Sequence, residues 1–197
     1  MQIESQRHRM ERCLKDVEEN PDKASAHYNL GLACTVSGRV RQAEESYLRA
    51  LELEPTMVEA WVNLGGVRLL RWEFQGCLEA TREAAKLRDD LPVIHYNMGQ
   101  AYLYLNDPEN LVKCNERVLA LDPGHAAAHY HAAVGQLALD NLGAAERHFG
   151  RALELGYRPT QDFVKAMEKA QLKKQRQHGV TLVEISGAEA PEKKKED

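Results

Sequence analysis

His27-Tyr28-Asn29-Leu30-Gly31, followed by Ala43, Tyr47 and Ala50-Leu51-Glu52-Leu53-Glu54-Pro55, is the stretch on which the fold turns. Ala26, Leu30, Ala33 and Cys34 recur at helical spacing, so one apolar stripe runs along a first helix. Ser37-Gly38 interrupts it, and a glycine takes the left-handed conformation that closes a helix end. Ala43, Tyr47, Ala50 and Leu51 draw a second stripe. It stops at Glu54-Pro55, since the residue before proline is pushed out of the helical region. Gly31 and Ala43 have little or no side chain, which lets the two backbones approach closely. A lone hairpin of this kind cannot bury its stripe, and its stability has to come from neighbours.

The neighbours are in the sequence. Asn29, Asn63, Asn97 and His131 are spaced by 34, as are Leu30, Leu64, Met98 and Ala132, and Gly31, Gly65, Gly99 and Ala133. Later in each unit come Ala43, Cys77, Leu111 and Ala145, then Ala50, Ala84, Val118 and Ala152, then Leu53, Leu87, Leu121 and Leu155. Units 24–57, 58–91, 92–125 and 126–159 follow without insertion. A period held this strictly predicts units stacked in one geometry.

These segments resemble the tetratricopeptide repeat (TPR) family. Besides unit one, the likeness rests on Ala60-Trp61-Val62-Asn63-Leu64-Gly65, on Tyr96-Asn97-Met98-Gly99-Gln100-Ala101-Tyr102 with Leu119-Ala120-Leu121-Asp122-Pro123, and on Ala145, Phe149 and Ala152-Leu153-Glu154-Leu155. It implies an all-α, right-handed α-solenoid of helix-turn-helix units. Three departures stand out. Unit two closes on Asp89-Asp90-Leu91-Pro92, which predicts a different exit turn. Trp72 occupies the slot of Gly38 and Asn106. Asn115 occupies the core slot of Tyr47 and Phe149, and needs a hydrogen-bond partner or solvent.

The ends read as caps. Residues 1–23 hold a helix with Met10, Cys13, Leu14 and Val17 on one stripe, in the register of a second helix. Residues 160–178 form the C-terminal counterpart, with Thr160 as N-cap and Phe163, Ala166, Met167 and Ala170 facing the array. For 179–197 the expectation is an extended or disordered tail. Val180-Thr181-Leu182-Val183-Glu184-Ile185 suits a strand, and 187–197 is rich in Gly, Ala, Pro, Glu and Lys.

A curved array lines its inner wall with the first helices. The outward side of those helices is Tyr28, Asn29, Leu32 and Val36; Val62, Asn63, Gly66 and Leu70; Tyr96, Asn97, Gln100 and Tyr104; and Tyr130, His131, Val134 and Ala138. The wall is neutral, partly aromatic and edged with amides. An Asn amide both donates and accepts, so a ladder of them can pair with a peptide backbone, and the tyrosines add rigid contact area. The alternative is that Asn here serves helix packing. Tyr28, Asn29, Asn63, Tyr96, Asn97, Gln100, Tyr104, Tyr130 and His131 are the candidate peptide-binding residues. His131, with an imidazole in place of the amide, is expected to tune binding between about pH 6 and 7. Some TPR domains clamp a terminal carboxylate with Lys and Arg. The slots that resemblance points to hold Tyr28, Leu32, Asn63, Val93 and Asn97, none of them basic; the direction of Arg68 and Arg71 is open.

Other chemistry is thinly supported. The chain has 26 basic and 30 acidic residues and a net charge of −4, so no basic field gathers nucleic acid. Its apolar runs are too short for a bilayer span, and the N-terminus lacks a signal-peptide core. Cys13, Cys34, Cys77 and Cys114 form no CxxC, which points to a reducing, cytoplasmic setting. His125 and His129 stand one turn apart, a spacing that suits a metal. His27, Trp61, His95 and His129 nevertheless share one slot, and a slot that takes Trp is a packing slot. No metal or cofactor is expected. No GxSxG, P-loop, Rossmann or HExxH motif occurs, and no enzyme activity is expected. The reading is a cytoplasmic adaptor or scaffold that binds a protein or peptide in its groove, without nucleic acid or membrane insertion. The alternative is a homo-oligomer that assembles end to end or through 180–185.

Overall fold

The computed structural model describes the backbone of residues 2–186 and the side chains of residues 7–176. Ten helices follow one another: α1 (Gln2–Glu19), α2 (Ala24–Val36), α3 (Val40–Leu53), α4 (Val58–Leu70), α5 (Phe74–Leu87), α6 (Pro92–Tyr104), α7 (Pro108–Leu121), α8 (Ala126–Ala138), α9 (Leu142–Glu154) and α10 (Gln161–Ser186). Among the described residues there is no strand. The first helices of the hairpins begin at Ala24, Val58, Pro92 and Ala126, and the second at Val40, Phe74, Pro108 and Leu142, each one period from the last. The result is an all-α solenoid.

The turn inside each hairpin is built identically from unlike residues. Gly38, Trp72, Asn106 and Asp140 all adopt positive φ, at 69°, 63°, 54° and 57°. The next N–H returns to the carbonyl five residues back: Arg39 to Cys34, Glu73 to Arg68, Asp107 to Tyr102 and Asn141 to Gln136, at 2.9–3.0 Å. This double-bonded closure satisfies the last helical carbonyls. A tryptophan there carries a backbone cost of roughly 1–2 kcal/mol that glycine does not.

Close packing follows the small residues. A Cβ on Gly31 would lie 2.5 Å from the Tyr47 ring, one on Gly65 2.7 Å from Thr81, and one on Gly99 2.8 Å from Asn115. Tyr47, Thr81 and Asn115 are fully buried in these hollows. Asn115 meets its expected requirement only in part. Its Nδ2 donates to the Leu111 carbonyl at 2.8 Å, while Oδ1 has no partner among the described residues.

Successive hairpins are tied at a shared seam. The ring N–H of Trp61 donates to the Pro55 carbonyl at 2.8 Å. His27 Nε2 bonds to Pro21 O at 2.7 Å, His95 Nε2 to Asp89 O at 2.8 Å and His129 Nε2 to Pro123 O at 3.2 Å. A carbonyl only accepts, so Nε2 carries the proton in all three histidines. This explains why His and Trp share the slot: each offers a flat ring with one N–H at the same place. The exit turn of unit two does differ, as expected: Met57 N–H bonds to Glu54 O and His125 N–H to Asp122 O, whereas Leu91 N–H makes no such bond to Arg88 O among the described residues, although the seam itself is kept. Pro92 simply takes the first position of α6, the turn keeps its length, and the bond to residue 89 is retained.

The ends behave as follows. α1 ends at Glu19, one period before Leu53, and Met10 and Cys13 pack into the cluster of Ala33, Cys34, Tyr47 and Leu51. Leu14 is left 45% exposed. After α9, Gly156 adopts φ 82° where Glu54, Arg88 and Asp122 are extended, and the chain leaves the repeat path. Tyr157 folds back on Tyr130, and Phe163 and Met167 of α10 close the last cluster. The Phe163 N–H donates to Thr160 Oγ1 at 3.4 Å, the expected N-cap contact, whereas Ala166 faces solvent. The strand expected over 180–185 is not formed; α10 runs helical through Ser186. An isolated strand leaves its backbone groups unpaired, while a helix satisfies its own. The lone Gly179 costs only about 1 kcal/mol. The tail 187–197 lies outside the described residues.

Candidate functional site

Two of the first-helix pairs of successive hairpins, α4 with α6 and α6 with α8, touch directly, whereas the second helices make no comparable contact with one another. The array therefore curves toward the first helices, which form the concave wall. The outer rim of that wall is apolar and open. Val36, Leu70 and Tyr104, each at the last helical position of its first helix, are 56%, 64% and 55% exposed. Beside them stands an aromatic cluster: Tyr104 stacks on Phe74 at 4.7 Å, and Trp72 meets both rings edge-on at 5.3 and 5.9 Å.

The nine candidate residues do not share one environment. Asn29 is exposed, and Asn97 and Gln100 are half-buried; none of the three makes a side-chain hydrogen bond among the described residues. Asn63 is committed instead. Its Nδ2 donates to Tyr28 Oη at 3.1 Å and to the Glu59 carbonyl at 2.8 Å. Tyr28 in turn leans on Tyr47, with ring centroids 5.9 Å apart. Tyr96 is half-buried and stacks on His131 at 5.6 Å, with His125 at 4.8 Å on another side. Tyr130 and His131 are buried, and Tyr157 and Phe163 cover Tyr130. The wall is thus open over its first three hairpins and filled by the chain's own rings at the fourth. Sequence spacing could not show this, because Tyr157 stands in the slot of Pro55, Asp89 and Pro123 and reaches Tyr130 only after the chain turns at Gly156.

His131 also departs from its expected role as a sensor near neutral pH. Burial, with the nearby His125 adding, pushes its pKa down to about 4, and its Nδ1 has no partner among the described residues. The ring stays neutral across the range in which a switch was expected. Tyr28, Tyr47 and Tyr96 are shifted upward, chiefly by burial, and remain protonated phenols.

Arg68 and Arg71 point away from the wall. Arg68 Nε donates to Glu44 Oε1 at 3.1 Å and its Nη1 to the Gly76 carbonyl at 2.9 Å. Arg71 pairs with Glu44 and, at 2.8 Å, with Glu73. Glu44, on α3, retains only 11% of its side-chain exposure, so both guanidiniums bind the first hairpin to the second. The wall itself has no cation from either.

Burial pushes the Cys77 thiol up to about 12 and the Cys114 thiol up to about 11, which leaves both as protonated, unreactive groups. Among the described residues, no three His, Cys, Asp or Glu side chains converge, and no helix is long and apolar enough to cross a membrane.

Fold and wall together define a helical repeat protein. Tetratricopeptide repeat models match residues 24–57 and 93–125, and the chain belongs to that family. It is 26% identical over 158 residues to the human Protein O-mannosyl-transferase TMTC3, covering 72% of this chain but 17% of that protein. The chain therefore spans less than a fifth of that curated relative. Among solved structures, a crystal structure of MamA superposes with TM-score 0.72 at 21% identity, over 75% of this chain and 86% of that one. TTC0263, a thermophilic TPR protein of Thermus thermophilus, does so with TM-score 0.59 at 18% identity, over 83% and 89%. At these identities the likeness is one of fold.

Proposed function

We propose that this chain is a non-catalytic adaptor that holds an extended segment or helix of a partner protein on its concave wall. The array consists of units 24–57, 58–91, 92–125 and 126–159 between a capping helix at each end. One observation carries the reading: Val36, Leu70 and Tyr104, at equivalent positions of three first helices, are exposed, and the Asn97 and Gln100 amides make no side-chain hydrogen bond among the described residues. Apolar anchors flanked by unsatisfied donor and acceptor groups fit a peptide, whose backbone supplies the complementary N–H and C=O. Contact is centred on hairpins one to three, since Tyr157 and Phe163 occupy the far end. Asn63 acts as a strut for Tyr28 rather than as a rung.

The test starts from peptides selected on the full chain from a random display library. Each selected peptide is titrated against wild type, N97A/Q100A, Y104A and the α10 variant L172A. Two lost hydrogen bonds at about 0.5–1.5 kcal/mol each predict roughly 5- to 150-fold weaker binding to N97A/Q100A. L172A should bind as wild type does. Equal affinity for wild type and N97A/Q100A, with both variants helical by circular dichroism, removes the groove from the function.

A further inference from the structure

His129 on α8 and His148 on α9 are 19 residues apart in sequence, and their Nδ1 atoms lie 3.2 Å apart. Their rings are inclined at 43° with centroids 5.4 Å apart. The orientation of His129 is fixed by the seam described above. Its Nε2–H is held by the Pro123 carbonyl, so Nδ1 presents a lone pair toward His148. This is the arrangement found around metal-bound imidazoles, in which a backbone carbonyl takes the remote N–H and aims the other nitrogen. The separation fits as well. Two nitrogens each at 2.0–2.1 Å from a tetrahedral ion stand about 3.3 Å apart.

We propose that His129 and His148 form a two-histidine site for a divalent transition ion of the zinc or nickel class, bound through both Nδ1 atoms with water completing the coordination. In the metal-free protein His148 Nδ1–H donates to His129 Nδ1. On binding, the His148 proton moves to Nε2, which makes no hydrogen bond among the described residues, so two neutral rings take up the ion without net proton release. His148 is suited to this, because burial and then His129 hold its pKa below the ordinary imidazole value; Arg147 adds to that shift and Glu116 opposes it. The site belongs to the fourth hairpin. The slots equivalent to His129 hold His27, Trp61 and His95, while those equivalent to His148 hold Ser46, Ala80 and Cys114. The Cys114 thiol, pushed up to about 11, is protonated and a poor ligand. With two protein ligands, the expected affinity is micromolar, far below that of a four-ligand structural site. Sequence spacing pointed to His125 as the companion of His129. The structure uses His125 otherwise, as the N-cap of α8, its Nδ1 accepting the Ala128 N–H at 3.1 Å.

The test is isothermal titration of the full chain with zinc chloride and with nickel chloride at pH 7.5, alongside thermal melts with and without each ion. The variants are H148A, H95A and H129W/H148A. The double variant installs in the fourth hairpin the Trp61 and Ala80 pair that the second hairpin already accommodates, so it keeps the seam and removes both ligands. Wild type and H95A should bind one equivalent and melt higher with metal. H148A and H129W/H148A should bind at least about tenfold more weakly and show no metal-dependent shift. Absence of binding in wild type overturns the proposal, and so does a folded H129W/H148A that titrates like wild type, since the ion then sits on another histidine.

Discussion

Replacing Gly31 by alanine tests the packing rule that sets the hairpin spacing. The added Cβ would stand 2.5 Å from Tyr47 Cε1, 2.7 Å from Cδ1 and 3.0 Å from Cζ. Carbon atoms in contact normally sit about 3.5–4.0 Å apart, so the overlap is about 1 Å. The ring has no room to yield. Tyr47 is fully buried, its hydroxyl is hydrogen-bonded to Thr35 Oγ1 at 2.9 Å, and Tyr28 lies against it. Overpacking of this kind costs about 1–3 kcal/mol. Alanine returns about 1 kcal/mol over glycine in a helix, leaving a net loss of about 0–2 kcal/mol for G31A. In a Y47V background the ring is gone and only the helix gain remains, so G31A should there stabilise by about 1 kcal/mol. The sign reversal, a coupling of about 1–3 kcal/mol, is measured by urea unfolding of the four proteins followed by far-ultraviolet circular dichroism. An equal gain from G31A in both backgrounds would refute the close approach of α2 and α3.

Two further outcomes follow from the same geometry. The folded pKa of His131, about 4, lies below its ordinary 6.5, so the unfolded chain takes up the proton first as pH falls. This residue's contribution is complete above about pH 6.5 and is lost toward pH 4, by about 3 kcal/mol in all. H131N, which restores the residue type of the other units, should flatten the acid side of a plot of urea midpoint against pH; an unchanged slope would show that His131 titrates normally. At Trp72, where φ is 63°, W72G should be about 1 kcal/mol more stable than W72A, the reverse of the usual order in helices. W72A matching or exceeding W72G in thermal melts would show that the turn relaxes to an ordinary conformation.

The architecture was legible in the sequence because periodicity and backbone chemistry are local. The helix starts at Ala24, Val58, Pro92 and Ala126 coincide with the unit boundaries read from the 34-residue spacing. The break at Ser37-Gly38 and its counterparts fell where the positive-φ residues are found. The shared His and Trp slot was recognised as packing, although the carbonyl that unites its members emerged only with the structure. The wall was less legible. Asn29, Asn63 and Asn97 are indistinguishable by register, yet Asn63 is held by Tyr28 and the other two make no side-chain hydrogen bond among the described residues. The error over 180–185 was of another sort: β-branched residues favour a strand only when a neighbouring strand exists to pair with them.

By itself, the sequence determined that helical hairpins recur at a fixed period and which side chains stand in each repeated slot. Slot identity depends on chain-local quantities: helical pitch, the conformations open to glycine and proline, and the size of the side chain opposite a small one. Only the tertiary structure decided which slots remain open, because occupancy depends on residues far away along the chain. Tyr157 closes over Tyr130, Glu44 draws Arg68 and Arg71 from the wall, and His148 meets His129 across two helices. Such meetings have no signature in a one-dimensional pattern, since they arise from how helices settle against one another both within a hairpin and between hairpins.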